Sequence, residues 1–323
     1  MHYALIDMGS NTIHLCVYDV NGKNYRKLFQ RKEVVGLAGY VEDHMLTREG
    51  IHAACETLVD FKDFLNALKI EKVDVFATAA LRNVRNTEDA REAISRVTGF
   101  NIQVLSGEQE AMMGYYGLMQ VEDISEGVLL DIGGGSAEVT VFSNRKTLCH
   151  DSFPIGSLNL YKNYVGGHII PSEKERELIK KRIKNIFSEE NLSKYIKYKV
   201  PMYAIGGSAR AVLKLANHHF NMDEDNRKIK RKQLKELREY ICDRSQDSLD
   251  LLLRYCPDRM HTIIPGLMIL EVLSKKFDAD EISINQIGVR EGYLWYKLSG
   301  EGDREMPVEI ANNVESSENS KKV

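Results

Sequence analysis

Cysteine is sparse in this chain, and its spacing is uninformative in a useful way. Cys16, Cys55, Cys149, Cys242 and Cys256 are scattered, odd in number and form no C-x-x-C pair. Neither a disulfide framework nor a zinc site is expected, and each thiol reads as a small apolar group. Long apolar runs are also missing. None approaches the roughly 18 residues of a membrane span, the first is interrupted by Asp7, and no secretory leader is recognisable. A cytoplasmic location with no membrane partner is expected. The phosphate loop G-x-x-x-x-G-K-[ST] is absent, and no G-x-G-x-x-G follows a strand, which excludes the two commonest nucleotide-binding turns. Net charge is only −3. It is unevenly spread: residues 161–240 hold 19 Lys plus Arg against 10 Asp plus Glu. Clusters such as Lys180-Lys181-Arg182 and Arg227 to Lys232 are suited to steering a polyanion, or are solvated helix faces with interleaved glutamates. They lack interleaved aromatics, so nucleic acid is not the expected partner.

What is present is a duplication. Ala4-Leu5-Ile6-Asp7-Met8-Gly9-Ser10-Asn11-Thr12 is echoed by Val128-Leu129-Leu130-Asp131-Ile132-Gly133-Gly134-Gly135-Ser136. Each is an apolar run ending in Asp, a glycine turn with hydroxyl side chains, then an alternating strand. Such a turn points several backbone N–H groups at one spot beside a carboxylate, making an anion cradle with a handle for a metal. At 323 residues and 43% hydrophobic, the chain has room for two domains with real cores.

The grammar around each turn is similar. Strands are predicted over Tyr3–Met8, Ile13–Val20, Tyr25–Val35, Val73–Ala77 and Ile102–Leu105, with helices over Thr47–Leu68 and Thr87–Val97 and another starting at Ser106. From about Glu122 the pattern restarts: a strand into Asp131, a returning strand to Phe142, a third near Arg145–Asp151, helices over Ser172–Phe187 and Arg231–Asp243, and a strand Met202–Ile205 that meets Gly206-Gly207 and opens a helix. Pro257–Phe277 reads as helical, with Pro265-Gly266 expected to kink or interrupt it. Ile282–Asn285 is a further strand and Arg290–Leu298 a closing helix. The predicted division is an α/β lobe over 1–120, a second over 121–299 with its closing helix packed back on the first, and a disordered acidic tail over 300–323.

Several side chains are placed to do chemistry. Glu138 follows Asp131 by seven residues across the second turn, so the two carboxylates can face one small volume and suit Mg²⁺, with Mn²⁺ as substitute. In the first repeat His14 occupies the position of Glu138. The metal is therefore expected nearer the second turn, with Asp7 contributing directly or through water. Ser106-Gly107-Glu108-Gln109 has the form of a capping box. The helix dipole accounts for Glu108, whereas Glu110 lies one residue deeper. It reads equally as a surface glutamate or as a base that deprotonates an attacking water. Arg82, after the strand and turn Ala77-Thr78-Ala79-Ala80-Leu81, is suited to neutralising a transferring phosphoryl group. Gly206, Gly207 and Ser208 suit an anion or a nucleotide at a helix N-terminus.

In order and spacing, the motifs Asp7–Thr12, Ala77–Arg82 with Asn86, Ser106–Ala111, Asp131–Glu138 and Gly206–Ala209 resemble those of the exopolyphosphatase and guanosine pentaphosphate phosphohydrolase family. The likeness runs from about Tyr3 to Leu298. It implies a two-lobed actin-like, ribonuclease H-like α/β fold and Mg²⁺-dependent release of terminal phosphate from inorganic polyphosphate or guanosine pentaphosphate. By the same resemblance Glu110 positions the water, Asp131 and Glu138 bind metal, and the turns Gly9-Ser10-Asn11-Thr12 and Gly133-Gly134-Gly135-Ser136 hold phosphates. Family members often dimerise, so a homodimer is expected. Ala137 departs from the Thr of many relatives, His261 from an acidic residue, and longer relatives carry C-terminal helical domains. A kinase of the same fold and a non-hydrolytic alarmone binder are the competing expectations.

Overall fold

The computed structural model describes residues 1–189 and 199–299; the tail expected from 300 lies outside them. Two sheets form around the two repeats. The first has the order β3-β2-β1-β6-β7, from β1 (His2–Met8), β2 (Ile13–Asn21), β3 (Asn24–Glu33), β6 (Val73–Ala77) and β7 (Ile102–Val104); the short pair β4 (Val41–Glu42) and β5 (Met45–Leu46) stands apart. The second has the order β10-β9-β8-β11-β13-β12, from β8 (Gly127–Ile132), β9 (Ala137–Ser143), β10 (Lys146–Phe153), β11 (Met202–Ile205), β12 (Lys228–Lys230) and β13 (Glu281–Ile284). In each, the first strand runs antiparallel to the second and parallel to the one on its other side. The sequence duplication is thus a duplication of topology.

Alternation along the strands divides the interior into three cores. Ala4, Ile6 and Met8 of β1 face helices α1 (Arg48–Ala67) and α3 (Thr87–Thr98), between which lies the short α2 (Ala79–Arg82). Val128, Leu130 and Ile132 of β8 face the outer helices of the second lobe. These are α5 (Ser157–Tyr164), α6 (Glu173–Glu189), α7 (Gly206–His219), α8 (Arg231–Cys242), α9 (Gln246–Tyr255) and α10 (Ile263–Lys276). The opposite faces, with Tyr3, Leu5, Leu129 and Tyr203, share a core with two helices between the sheets, α4 (Gly107–Met119) and α11 (Val289–Leu298). Those two helices are exchanged. α4 follows the first lobe but packs against β9 and β10, whereas α11 ends the second lobe and touches β1. Tyr293 of α11 stacks on Phe76 at 4.7 Å and donates to Gln103 at 2.9 Å.

Most elements fall where the periodicity places them. The capping box is formed, with Ser106 Oγ accepting from Gln109 N at 3.1 Å and Gln109 Oε1 accepting from Ser106 N at 2.9 Å. The Pro257–Phe277 reading needs correction. Pro257–Arg259 is a single tight turn, α10 begins at Ile263, and Pro265 causes no break. It lies in the first helical turn, where its missing N–H has no intrahelical acceptor to lose. Helices α5 and α9 are additional to the sequence reading. The cluster from Arg227 to Lys232 is largely occupied in ion pairs, Lys228 with Glu281 and Arg231 with Asp278 and Asp280 among them. No described helix is long and apolar enough to cross a membrane.

Candidate active site

The two glycine turns meet. Each is closed by the same bond, Gly9 N donating to Thr12 O at 3.0 Å and Gly133 N to Ser136 O at 3.0 Å. A Cβ on Gly134 would lie 3.5 Å from Ser10 Cβ, and one on Gly135 3.0 Å from Ala79 Cβ, so the second turn packs closely against the first lobe. Between them is a cavity of about 140 Å³, open on one side and lined by Asp7, both turns, Glu110, Asp131, Gly206 and Gly207. It lies at the carboxyl ends of β1, β6, β8 and β11, where open α/β sheets place ligands. Gly206 is required by its positive φ of 90° and because any side chain there would drive into Asp131 Oδ1.

The carboxylates are crowded and desolvated. Burial, then Glu110, pushes Asp131 up to about 7, and burial, then Asp131, pushes Glu138 up to about 7 against the hydrogen bonds it accepts. Glu110 is raised well above the carboxylate range by burial and then Glu138, opposed by Arg82. Asp7 is raised by burial, opposed first by Arg290, whose guanidinium is 3.7 Å away. Because folding raises these pKa values, folding takes up protons between the unfolded values near 4 and the folded values near 7. Stability from this source is complete in acid and is lost as pH rises through that window. Metal-free protein should therefore melt at falling temperatures from pH 4.5 to 7.5, and added Mg²⁺ should reverse the loss at pH 7.5, readable by calorimetry. A melting temperature indifferent to both would refute the assignment.

Arg82 is placed differently from the sequence expectation. Its Nη1 donates to Glu110 Oε2 at 2.6 Å and Leu105 O at 3.2 Å, and its Nη2 to Ser136 Oγ and Ser152 Oγ, each at 3.2 Å. Glu138 Oε1 lies 3.4 Å from Nη2 and accepts from Ser136 Oγ at 2.6 Å and Ser152 Oγ at 2.7 Å. The guanidinium thus sits behind the crevice, joining Glu110 to Glu138. Replacing it with Ala would leave both carboxylates buried and uncompensated, and Arg82→Ala should cost about 3–5 kcal/mol in denaturant unfolding; a change below 1 kcal/mol would show that the pair is solvated. Ser208 also turns away. One residue past Gly207 the helix has rotated it into the second lobe, where its Oγ is 3.0 Å from Ser157 Oγ, itself donating to Gly133 O at 3.2 Å. It braces the second turn without lining the cavity.

The cations that do line the crevice are Arg210, Arg259 and Arg290, to which the motifs assigned no role. Among the described residues Arg210 has no carboxylate within ion-pair distance, and burial, then Arg290, lowers its pKa to about 10. Arg259 covers Gly207 and lies 3.9 Å from Asp258, which pairs with Lys32 of the other lobe. The sequence signal for them is local: a guanidinium within the first five residues of a helix that opens at a glycine (Arg210, Arg290), and one in a tight Pro turn (Arg259).

Three buried polar atoms at this site lack a partner: Asn11 Nδ2, His14 Nδ1 and Glu138 Oε2. The last is an unused carboxylate oxygen behind Asp131, which suits a hard cation. No cluster of three or more His, Cys, Asp or Glu able to enclose a metal occurs among the described residues. Buried carboxylates such as Asp131 and Glu138 are the hard oxygen donors that Mg²⁺ takes, one or two from the protein with water completing its shell.

Two α/β lobes with exchanged helices and paired glycine turns, enclosing a crevice lined by carboxylates and arginines, define an actin-like fold. The chain belongs to the Ppx/GppA phosphatase family, whose pattern it matches over residues 16–301. It is 27% identical over 304 residues to the guanosine-5'-triphosphate,3'-diphosphate pyrophosphatase of Pseudoalteromonas translucida, covering 92% of this chain but only 59% of that protein. It is 25% identical to a provisionally assigned exopolyphosphatase of Haemophilus influenzae over 90% of both chains. Among solved structures, an exopolyphosphatase from Cytophaga hutchinsonii superposes with TM-score 0.81 at 22% identity, covering 93% of this chain and 98% of that one. The Ppx/GppA member of Aquifex aeolicus superposes with TM-score 0.74 at 23% identity, over 93% and 98%.

Proposed function

We propose that this chain is a phosphohydrolase that releases terminal orthophosphate from a linear phosphate chain, inorganic polyphosphate or guanosine pentaphosphate, with Mg²⁺ or Mn²⁺ bound at Asp131 and Glu138. The observation that carries the reading is the set of unpartnered buried atoms. Two of them belong to the first anion turn (Asn11) and the strand that leaves it (His14), and the third is a carboxylate oxygen on the strand leaving the other turn. Leaving them unpaired is costly, so a ligand with both acceptors and a cation is the expected complement.

The backbone N–H groups of the two turns hold the terminal phosphates, and Arg210, Arg259 and Arg290 offset charge further along the chain. Bound Mg²⁺ supplies charge neutralisation at the phosphoryl oxygens. Glu110, held by Arg82, orients a water in line with the terminal phosphorus and takes its proton as the P–O bond to the leaving phosphate breaks. Burial and then Glu138 raise its pKa, the direction that strengthens a carboxylate as a base. Phosphoryl transfer needs mainly positioning and electrostatics, which these parts supply.

The test offers purified protein with Mg²⁺ short polyphosphate, long polyphosphate and guanosine pentaphosphate, and measures orthophosphate. Release without an added acceptor supports the hydrolase. Release only with an acceptor would mark a kinase, and ligand protection with no release a binder.

A further inference from the structure

The hairpin register sets up a comparison that the motifs alone do not. In the second lobe Glu138 lies directly opposite Asp131 across the β8–β9 pair; in the first, His14 lies opposite Asp7 across β1–β2. The same place is filled by a carboxylate on one side of the crevice and by an imidazole on the other. Both carboxylates could not be repeated without surrounding a polyanion with acceptors. An imidazole changes that half of the site into one able to donate.

Its bonding is half complete. His14 Nε2 is 2.9 Å from Thr12 Oγ1, whereas Nδ1 is buried with no partner, and the residue lines the crevice. The neighbouring Asn11 Nδ2, on the turn that leads into this strand and lining the same cavity, is likewise a buried donor without an acceptor. Two unfilled positions three residues apart, one on the turn and one on the strand leaving it, point to a single acceptor group arriving with the ligand. We propose that His14 is a phosphate-binding residue of the first lobe, a neutral imidazole donating Nδ1–H to a phosphoryl oxygen while Nε2 accepts from the Thr12 hydroxyl. A phosphate oxygen only accepts, so the nitrogen facing it must carry the proton, and that choice sets the tautomer. Burial, together with Arg290, Lys32, Arg210 and Arg259, drives the imidazole pKa down to about 2, consistent with the neutral form. The proposal rests on the reading that the crevice receives a phosphate chain.

Two measurements with tripolyphosphate test it. His14→Phe should weaken apparent affinity roughly 10- to 100-fold, the range for a lost hydrogen bond to a charged group, with the loss carried mainly by KM. His14→Gln, which keeps an amide donor, should recover much of it. Unaltered affinity in His14→Phe would overturn the proposal. Histidine-selective ¹⁵N NMR on the wild-type protein, with His14 assigned by its absence from the conservative variant His14→Gln, is independent of turnover. The expected result is the Nδ1–H tautomer, with the Nδ1 signal moving on tripolyphosphate addition. An Nε2–H tautomer, or no response to saturating ligand, overturns it. If no phosphate chain is cleaved at all, the hydrolase reading fails while the NMR titration still decides the role of His14.

Discussion

Glu110→Gln should lower the rate of orthophosphate release roughly 10²–10⁴-fold, the usual contribution of a positioned base, while tripolyphosphate binds with nearly unchanged Kd. The amide is close in size, and its oxygen can still accept from Arg82 Nη1, which in the wild type donates at 2.6 Å. The substitution therefore removes the base and retains the scaffold. It also removes one of the two crowded charges, since Glu138 is the largest charged contributor to the raised pKa of Glu110, so the variant should be no less stable than wild type at pH 7. Single-turnover release and calorimetric binding separate the two effects. An equal fall in binding and rate would assign Glu110 to substrate positioning, and an unaltered rate would remove it from the chemistry.

The largest effect on folding should come from a glycine in the seam between α4 and α11. Where α4 and α11 cross, a Cβ on Gly292 would overlap Met113 O and come within 2.8 Å of Gly117 N. Facing it, a Cβ on Gly117 would lie 2.5 Å from Gly288 O. These are backbone atoms, which cannot rotate aside, and the helices hold the shared core between the lobes. Gly292→Val should cost more than about 4 kcal/mol, in the range reserved for severe overpacking, and yield largely insoluble protein. Gly288→Ala is the control. Its nearest neighbour would be Ile205 Cδ1 at 3.9 Å, and its extended backbone suits any residue, so the cost should be about 1 kcal/mol, mainly from the weaker cap. Denaturant midpoints and soluble yield decide the matter; a folded Gly292→Val of normal stability would show that the helices can separate cheaply. The seam bears on the site too, since α4 carries Glu110 near its start and α11 carries Arg290.

Much of this was legible in residues close together in the chain. The capping box at Ser106, the hairpins ending at Asp7 and Asp131, and the glycine turn after β11 depend on spacings of two to eight residues, and each forms as its local chemistry requires. Pro265 was misread because its effect depends on where α10 begins, which the preceding tight turn decides. Ser208 was misread because one residue of helical rotation separates lining a cavity from bracing it. The arginines were undervalued for a different reason: Arg210, Arg259 and Arg290 come from three segments, and nothing in any one segment shows that they converge.

Sequence alone determined the two-lobed α/β plan, the duplicated turns and the carboxylates beside them, because periodicity, glycine placement and capping act over a few residues. The sequence also anticipated that the closing helix α11 returns to the first lobe; tertiary structure alone decided that α4 crosses to the second, that Arg82 faces Glu110 and Glu138 instead of the crevice, and that three distant arginines line it. Those outcomes follow from packing two sheets on one shared core, where contacts span tens to hundreds of residues and no local pattern encodes them.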